Sequence, residues 1–268
     1  MKPINIKFTF YLISLLFITL LLSCLVIDPI DNTSNTNYSA SESFSFDIEA
    51  KNQKNIEIKG INGPITVDAK LGISTVKIWG ERIVDSESVE DAEEHLKMLE
   101  VVVTDHNDGI SVRTEQPNES HGRNYQVNYN VIIPIYWDVC VGNVNGGVEI
   151  DSLEANINVG IVNGDVVLTD IAGSIVVSVT NGAIYSKVAL PLKGYSRLNT
   201  VNGKIQFEIP KTTSAQFAAN LTNGTISVTN LTLKNMISSR NSISGVLGDG
   251  EGEIRLVTVN GSISANGF

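Results

Sequence analysis

The chain has 268 residues, 42% hydrophobic and 18% charged, with a formal net charge of −10. Such acidity argues against nucleic acid as a partner and against a body lying flat on anionic lipid. The two cysteines, Cys24 and Cys140, leave no intramolecular disulfide once Cys24 is assigned to lipid as below.

The first residues read as an export signal. Lys2 and Lys7 make a positive start, and Phe8 to Leu22 is a nearly unbroken apolar run of 15 residues. A bilayer-spanning helix needs about 20, so the run fits the apolar region of a signal peptide over 1–23. It ends in Leu21-Leu22-Ser23-Cys24, which resembles the bacterial lipobox. In that family cleavage precedes the cysteine, which is then acylated, and two or more acyl chains anchor stably. Cleavage removes two lysines and no acids, taking the charge from −10 to about −12. Residues 24–43, with Asn32 to Ser39 wholly polar apart from Tyr38, read as a tether. Asp28 and Asp31 close behind Cys24 suggest export to the outer face of an outer membrane.

Residues 44–139 predict a β-rich part with one helix. Phe44 to Ile48, Ile56 to Ile58, Ile65 to Val67 and Val76 to Trp79 alternate with the period of half-buried strands. Ser88-Val89-Glu90-Asp91 resembles a capping box, and Val89, Ala92, Leu96 and Leu99 follow at helical spacing. Strands resume at Glu100 to Val103 and Ile110 to Arg113. The apolar run Tyr125 to Val139 then leads into the repeats.

Residues 140–268 are built on a repeated phrase. Asn-Gly pairs stand at Asn145-Gly146, Asn163-Gly164, Asn181-Gly182, Asn202-Gly203, Asn223-Gly224 and Asn260-Gly261, with an early copy at Ile61 to Val67. Their gaps are 18, 18, 21, 21 and 37, and Ser244-Gly245 is expected to fill the missing place as a degenerate copy. Half-copies at Leu153 to Ile157 and Ile171 to Ile175 make the unit two strands and two bends. With Asn as position 1, positions 4 and 6 are apolar (Val148 and Ile150, Val166 and Leu168, Ile205 and Phe207, Ile226 and Val228) and position 5 varies. One face is therefore core and the other solvent. Glycine supplies positive φ at the corner, and stacked corner asparagines can hydrogen-bond in a ladder. A stacked solenoid and an antiparallel meander are both compatible with the spacing.

These residues resemble the bacterial DUF4097 family of candidate adhesins, related to DUF2807 head domains. The resemblance rests on the recurrent [VT]-N-G-x-[IV]-x-[VIL] phrase, its early copy, the preceding helix and the strand Val131 to Pro134 ahead of the array. It covers roughly residues 44–268. It implies an all-β, right-handed β-solenoid in the cell envelope, with no catalytic residues, cofactor or metal site.

The search for chemistry agrees with that expectation. His95, His106 and His121 lack metal-ligand spacing. Asp151 and Asp170 are 19 apart and could stack on one edge as a glycosidase-like pair, although a solvated edge is the preferred reading. Asp249 to Glu253 reads as an acidic loop, Cys140 as a buried inert thiol, and Tyr125, Tyr129, Tyr136 and Trp137 mainly as core. The resulting expectation is a non-enzymatic envelope protein that adheres to glycans or surface proteins through outward residues such as Ser227, Thr229, Ser262 and Ser264. The alternatives are a self-associating structural or stress-sensing module, stacking through an uncapped end at Phe268, and a carbohydrate-active enzyme.

Overall fold

A computed structural model describes residues 38–268. The signal peptide, Cys24 and residues 24–37 lie outside the described residues. In chain order the chain forms β1 (Tyr38–Glu49), β2 (Asn55–Lys59), β3 (Ile65–Lys70) and β4 (Thr75–Ser86). Then come α1 (Val89–Leu96), β5 (Glu100–Asp105), β6 (Gly109–Glu115) and β7 (Asn124–Pro134). The repeats give β8 (Asp138–Asn145), β9 (Val148–Asp151), β10 (Ile157–Asn163), β11 (Val166–Ile171), β12 (Ile175–Asn181) and β13 (Ile184–Val188). Beyond them lie β14 (Tyr195–Asn202), β15 (Ile205–Ile209), β16 (Ala215–Asn223) and β17 (Ile226–Thr229). The chain closes with β18 (Lys234–Ser239), β19 (Ser242–Leu247), β20 (Gly252–Asn260) and β21 (Ile263–Gly267).

Parallel pairing decides for the solenoid over the meander. Each repeat puts one strand in each of two sheets and turns between them at Asn-Gly. Val166 pairs with Val148 and Ile184, and Ile157 pairs with Val139 and Ile175, all parallel. The rungs stack in the order β6/β7, β2/β3, β8/β9, β10/β11, β12/β13, β14/β15, β20/β21, β16/β17. The stack therefore runs unbroken across residue 140.

That order departs from the sequence twice. The rung β2/β3 precedes β6/β7 in the chain yet lies between it and β8/β9. At the other end β20/β21, the last repeat, is inserted between β14/β15 and β16/β17. Asn260-Gly261 is thus the direct neighbour of Asn223-Gly224, and the place expected between them for Ser244-Gly245 does not exist. Gly245 instead sits in a hairpin, β18 with β19, whose β19 lies antiparallel on β16.

The ends are closed mainly by antiparallel strands. β1 pairs with β4 and β4 with β7, while β5 pairs with β6. β1 begins at Tyr38, so the tether expected through residue 43 ends earlier; twelve backbone pairings with β4 order its serine-rich start. At the far end the β18–β19 hairpin covers β16, and β17 is the last strand of its sheet. Phe268 follows the inserted rung rather than ending the stack, so an uncapped end at Phe268 is not found. Its backbone N–H instead donates to Ile209, on the neighbouring rung.

The apolar code becomes the core. Positions 4 and 6 of the inner rungs are essentially sealed: Val148 is 1% exposed, Ile150, Val166, Ile205 and Phe207 are 0%, and Leu168 is 1%. Burial of each such side chain contributes about 1.5–3 kcal/mol. Ile226 and Val228, at the same positions of the terminal rung, are only half-buried because no rung covers them. Position 6 of β13 is Ser186, buried with its hydroxyl unpaired among the described residues.

α1 starts where Ser88 Oγ accepts from Asp91 N at 3.1 Å, with Glu90 and Asp91 in the favourable first turn. It buries Ala92 and Leu96 and packs on β1 and β4. Val89 is 42% exposed, and Leu99, just past the helix, is fully buried. No helix among the described residues is long and apolar enough to cross a membrane.

Candidate functional site

The corner carries a continuous row of side-chain hydrogen bonds. Asn145 Nδ2 donates to Asn62 Oδ1 at 2.7 Å, Asn163 to Asn145 at 2.8 Å and Asn181 to Asn163 at 2.8 Å. Asn202 donates to Asn181 at 2.8 Å, Asn260 to Asn202 at 2.9 Å and Asn223 to Asn260 at 2.9 Å. Asn62 Nδ2 ends the run on the Tyr125 carbonyl. Each inner carboxamide donates once and accepts once within the row, which fixes its orientation and leaves one N–H and one acceptor lone pair outside the row.

Its glycines are required by stacking as well as by dihedral angle. A Cβ on Gly164, whose φ is +143°, would stand 2.4 Å from Gly146 O. Gly203 is outside the left-handed region, yet its Cβ would stand 1.9 Å from Gly182 O. The opposite corner uses a different device. Asp138 accepts from Asn156 N, Asn156 Oδ1 from Ser174 N, and Ser174 Oγ from Tyr195 N.

The outward faces carry what the fold leaves free. On the β9 sheet, position 5 lines up Thr66, Glu149, Val167, Tyr185, Gln206, Ser264 and Ser227 across successive rungs. Ser227 and Thr229 are exposed, and Ser262 and Ser264 half-exposed. Several outward charges pair with each other. Lys187 Nζ meets Asp170 at 2.6 Å, and Arg197 meets Glu253 at 2.6 Å while its guanidinium lies 4.6 Å from the Tyr195 ring centroid. Lys204 lies over Tyr185 at 4.7 Å. Arg197 lowers the Glu253 pKa from its ordinary value, and Asp170 raises that of Lys187.

The expected stacking of Asp151 with Asp170 is not found. Asp151 is in register with Thr169 on one side and Asp68 on the other. The β9–β11 pairing is regular, with Asp151 opposite Thr169, so Asp170, at φ +51°, falls one residue past that row and meets Lys187. The loop from Asp249 is drawn into pairing too: Glu253 holds Arg197, and Asp249 lies 3.7 Å from Lys234.

Cys140 is exposed rather than buried. It points outward from β8 between Glu57 and Asn158, because Val139 and Val141 take the inward positions. Shielding of the sulfur by these neighbours, and then the Glu57 charge, raise its pKa. Beside it, Gly142 and Gly160 share the next outward row, and a Cβ on either would meet nothing within 4 Å.

Of the four aromatics, Tyr125, Tyr129 and Trp137 are buried and Tyr136 is 62% exposed. Tyr129 OH pairs with Thr114 Oγ1 at 2.7 Å, and burial pushes its pKa up to about 12. His95 Nδ1 lies 2.6 Å from Tyr125 OH on the helix face, and His121 lies 3.1 Å from Glu119. Among the described residues no three His, Cys, Asp or Glu side chains converge as a metal site. One cluster had no signal in the sequence. Arg123 grips Asp91 with Nε and Nη2, both at 2.6 Å, while Ser86 Oγ donates to the same carboxylate. The partners are 32 residues apart, so no local pattern announces them.

No match to the chain was found among curated proteins. Among solved structures it is similar to a candidate cell adhesion protein of Clostridium sporogenes, at 13% identity and a TM-score of 0.46, over 85% of this chain and 100% of that one. It is also similar to a candidate adhesin of Bacteroides fragilis, at 12% identity and a TM-score of 0.36, over 85% and 97%. A third is a candidate lipid-binding protein of Parabacteroides distasonis, at 11% identity and a TM-score of 0.28, over 84% and 96%. The family model for Toastrack DUF4097 matches residues 137–266, the run from the foot of β8 into β21. Over that run of Asn-Gly rungs, the chain is similar to the Toastrack DUF4097 family.

Proposed function

We propose that the chain is a non-enzymatic, lipid-anchored envelope protein whose solenoid faces form an adhesion or interaction surface. The observation that carries this reading is the division of labour within each rung. Asn and Gly make the corner, positions 4 and 6 fill the core, and position 5 presents an in-register outward row. Such a row offers a partner many weak contacts at the rung spacing of about 4.8 Å. Glycans or surface proteins are the partner classes this suits, and Cys24 would supply the membrane anchor.

The test uses intact cells producing the full chain. Labelling by a fatty-acid analogue should depend on Cys24, external protease should release the body, and the full chain should bind members of a glycan and matrix-protein array. A protein inaccessible on intact cells would count against adhesion. Release of reducing ends that is lost on Asp151→Asn or Asp170→Asn would replace this reading with an enzymatic one.

A second reading, a self-associating structural or stress-sensing module, is favoured by the open edge of β17, where Ile226 and Val228 are half-buried. Sedimentation of the full chain in detergent tests it, and a strict monomer at high concentration would sink it.

A further inference from the structure

The seven corner Asn-Gly pairs share a sequence and do not share an environment. In six of them the glycine N–H donates to an asparagine carbonyl on the next rung, at 2.8–3.0 Å: Gly63 to Asn145, Gly146 to Asn163, Gly164 to Asn181, Gly182 to Asn202, Gly203 to Asn260 and Gly261 to Asn223. The seventh, Gly224, stands on the terminal rung, and among the described residues its N–H donates to no carbonyl. The side chains divide in the same way. Every other corner carboxamide both donates and accepts, whereas Asn223 donates to Asn260 and its Oδ1 accepts nothing among the described residues. Asn223 and Gly224 also line an open cavity of about 350 Å³ with Thr222, Arg240 and Asn241. Water therefore reaches this pair.

Asn-Gly is the most labile asparagine context, because glycine has no side chain to hinder its own nitrogen from reaching the asparagine Cγ. We propose that Asn223 is a site of spontaneous deamidation, singled out from the seven corner pairs by its place at the end of the stack. The Gly224 backbone nitrogen gives its proton to water or hydroxide and attacks Asn223 Cγ. The N–Cγ bond forms, the Cγ–Nδ2 bond breaks, and Nδ2 takes up a proton and leaves as ammonia. The resulting succinimide adds water at either carbonyl and opens to aspartate or isoaspartate, with no oxidant or reductant.

On an inner rung the same attack must first break the glycine hydrogen bond and turn the carboxamide out of the ladder. The product matters for the fold. A carboxylate at 223 places an acceptor against Asn260 Oδ1 where a donor stood, and isoaspartate lengthens the backbone just ahead of β17. Both loosen the terminal rung, so the modification acts as a slow, irreversible timer on the open edge.

The test ages the full-length chain in mildly alkaline buffer, natively and in urea, and follows each pair by peptide mapping. Natively, Asn223 should convert at least about tenfold faster than Asn145, Asn163, Asn181 or Asn202, and in urea the pairs should convert at similar rates. Equal native rates would overturn the proposal. So would a lead for Asn223 that persists in urea, because that preference would then belong to local sequence.

Discussion

Three glycine-to-alanine substitutions separate the two demands that the corner places on its glycines. Gly160→Ala meets neither: the residue lies outside the left-handed region and its Cβ would have nothing within 4 Å. It should stabilise by about 0.4–1 kcal/mol, through the smaller entropy of the unfolded chain. Gly203→Ala meets the stacking demand alone, with Cβ 1.9 Å from Gly182 O. The rungs must part there by more than an ångström to reach ordinary contact. That strains the bond from Gly182 N to Asn202 O and the one from Asn202 Nδ2 to Asn181 Oδ1. Two hydrogen bonds at about 1 kcal/mol each put the cost near 2 kcal/mol. Gly164→Ala meets both demands, and its φ of +143° adds backbone strain. That strain costs about 1–3 kcal/mol more. Urea unfolding followed by circular dichroism should rank the midpoints Gly160→Ala, wild type, Gly203→Ala, Gly164→Ala, with about 2–4 °C of Tm per kcal/mol as a second readout. If Gly203→Ala were as mild as Gly160→Ala, the stacking argument would be refuted and the dihedral angle alone would explain the corner glycines.

Other consequences can be checked as directly. Deleting residues 252–268 removes the inserted rung with its buried Ile254, Leu256, Ile263 and Ala265, leaving β16/β17 a rung short of β14/β15. Limited proteolysis should then cut within 215–247 while the rungs from β8 to β15 persist, and a fully resistant fragment would contradict the insertion. Asn181→Ala breaks two ladder bonds, and should cost about 1–2 kcal/mol in chemical denaturation. Asn223→Ala breaks one and should cost about half as much; equal losses would argue against a ladder of additive bonds. Asp91 is held well below the usual carboxylate range by the Arg123 guanidinium, then by the Ser86 hydroxyl. Its folded pKa is depressed, so its contribution is present above the ordinary carboxylate pKa of about 4 and is lost as pH falls below that value. Protection factors of the α1 amides, taken against intrinsic exchange rates, should fall with acid in the wild type and less steeply in Asp91→Asn, and identical acid profiles would remove the pair from the account.

Much of the rung was legible because its determinants are local. The period of two in Val-Glu-Ile or Ile-Gln-Phe sets which side chain faces inward whatever lies above or below. The same rule already placed Cys140 outward, between Val139 and Val141; a buried thiol followed from the average preference of cysteine rather than from that alternation. Asp151 and Asp170 follow the same local rule: the Asn145 and Asn163 corners are 18 residues apart, so a separation of 19 puts Asp170 one residue past Thr169, the partner of Asp151.

The sequence by itself determined the unit: an Asn-Gly corner, two apolar inward positions, a free outward one, and a helix start at Ser88. Only the tertiary structure decided the order in which the units stack. Every rung offers its neighbours the same backbone edge, the same carboxamide and the same small corner, so the repeat of Asn260 is chemically compatible with many places in the array. What selects its place between Asn202 and Asn223 is the path of the chain, with the β18–β19 hairpin occupying the far side of β16 and leaving the inner side to β20. Identical units carry no address, and the address comes from what the connections allow.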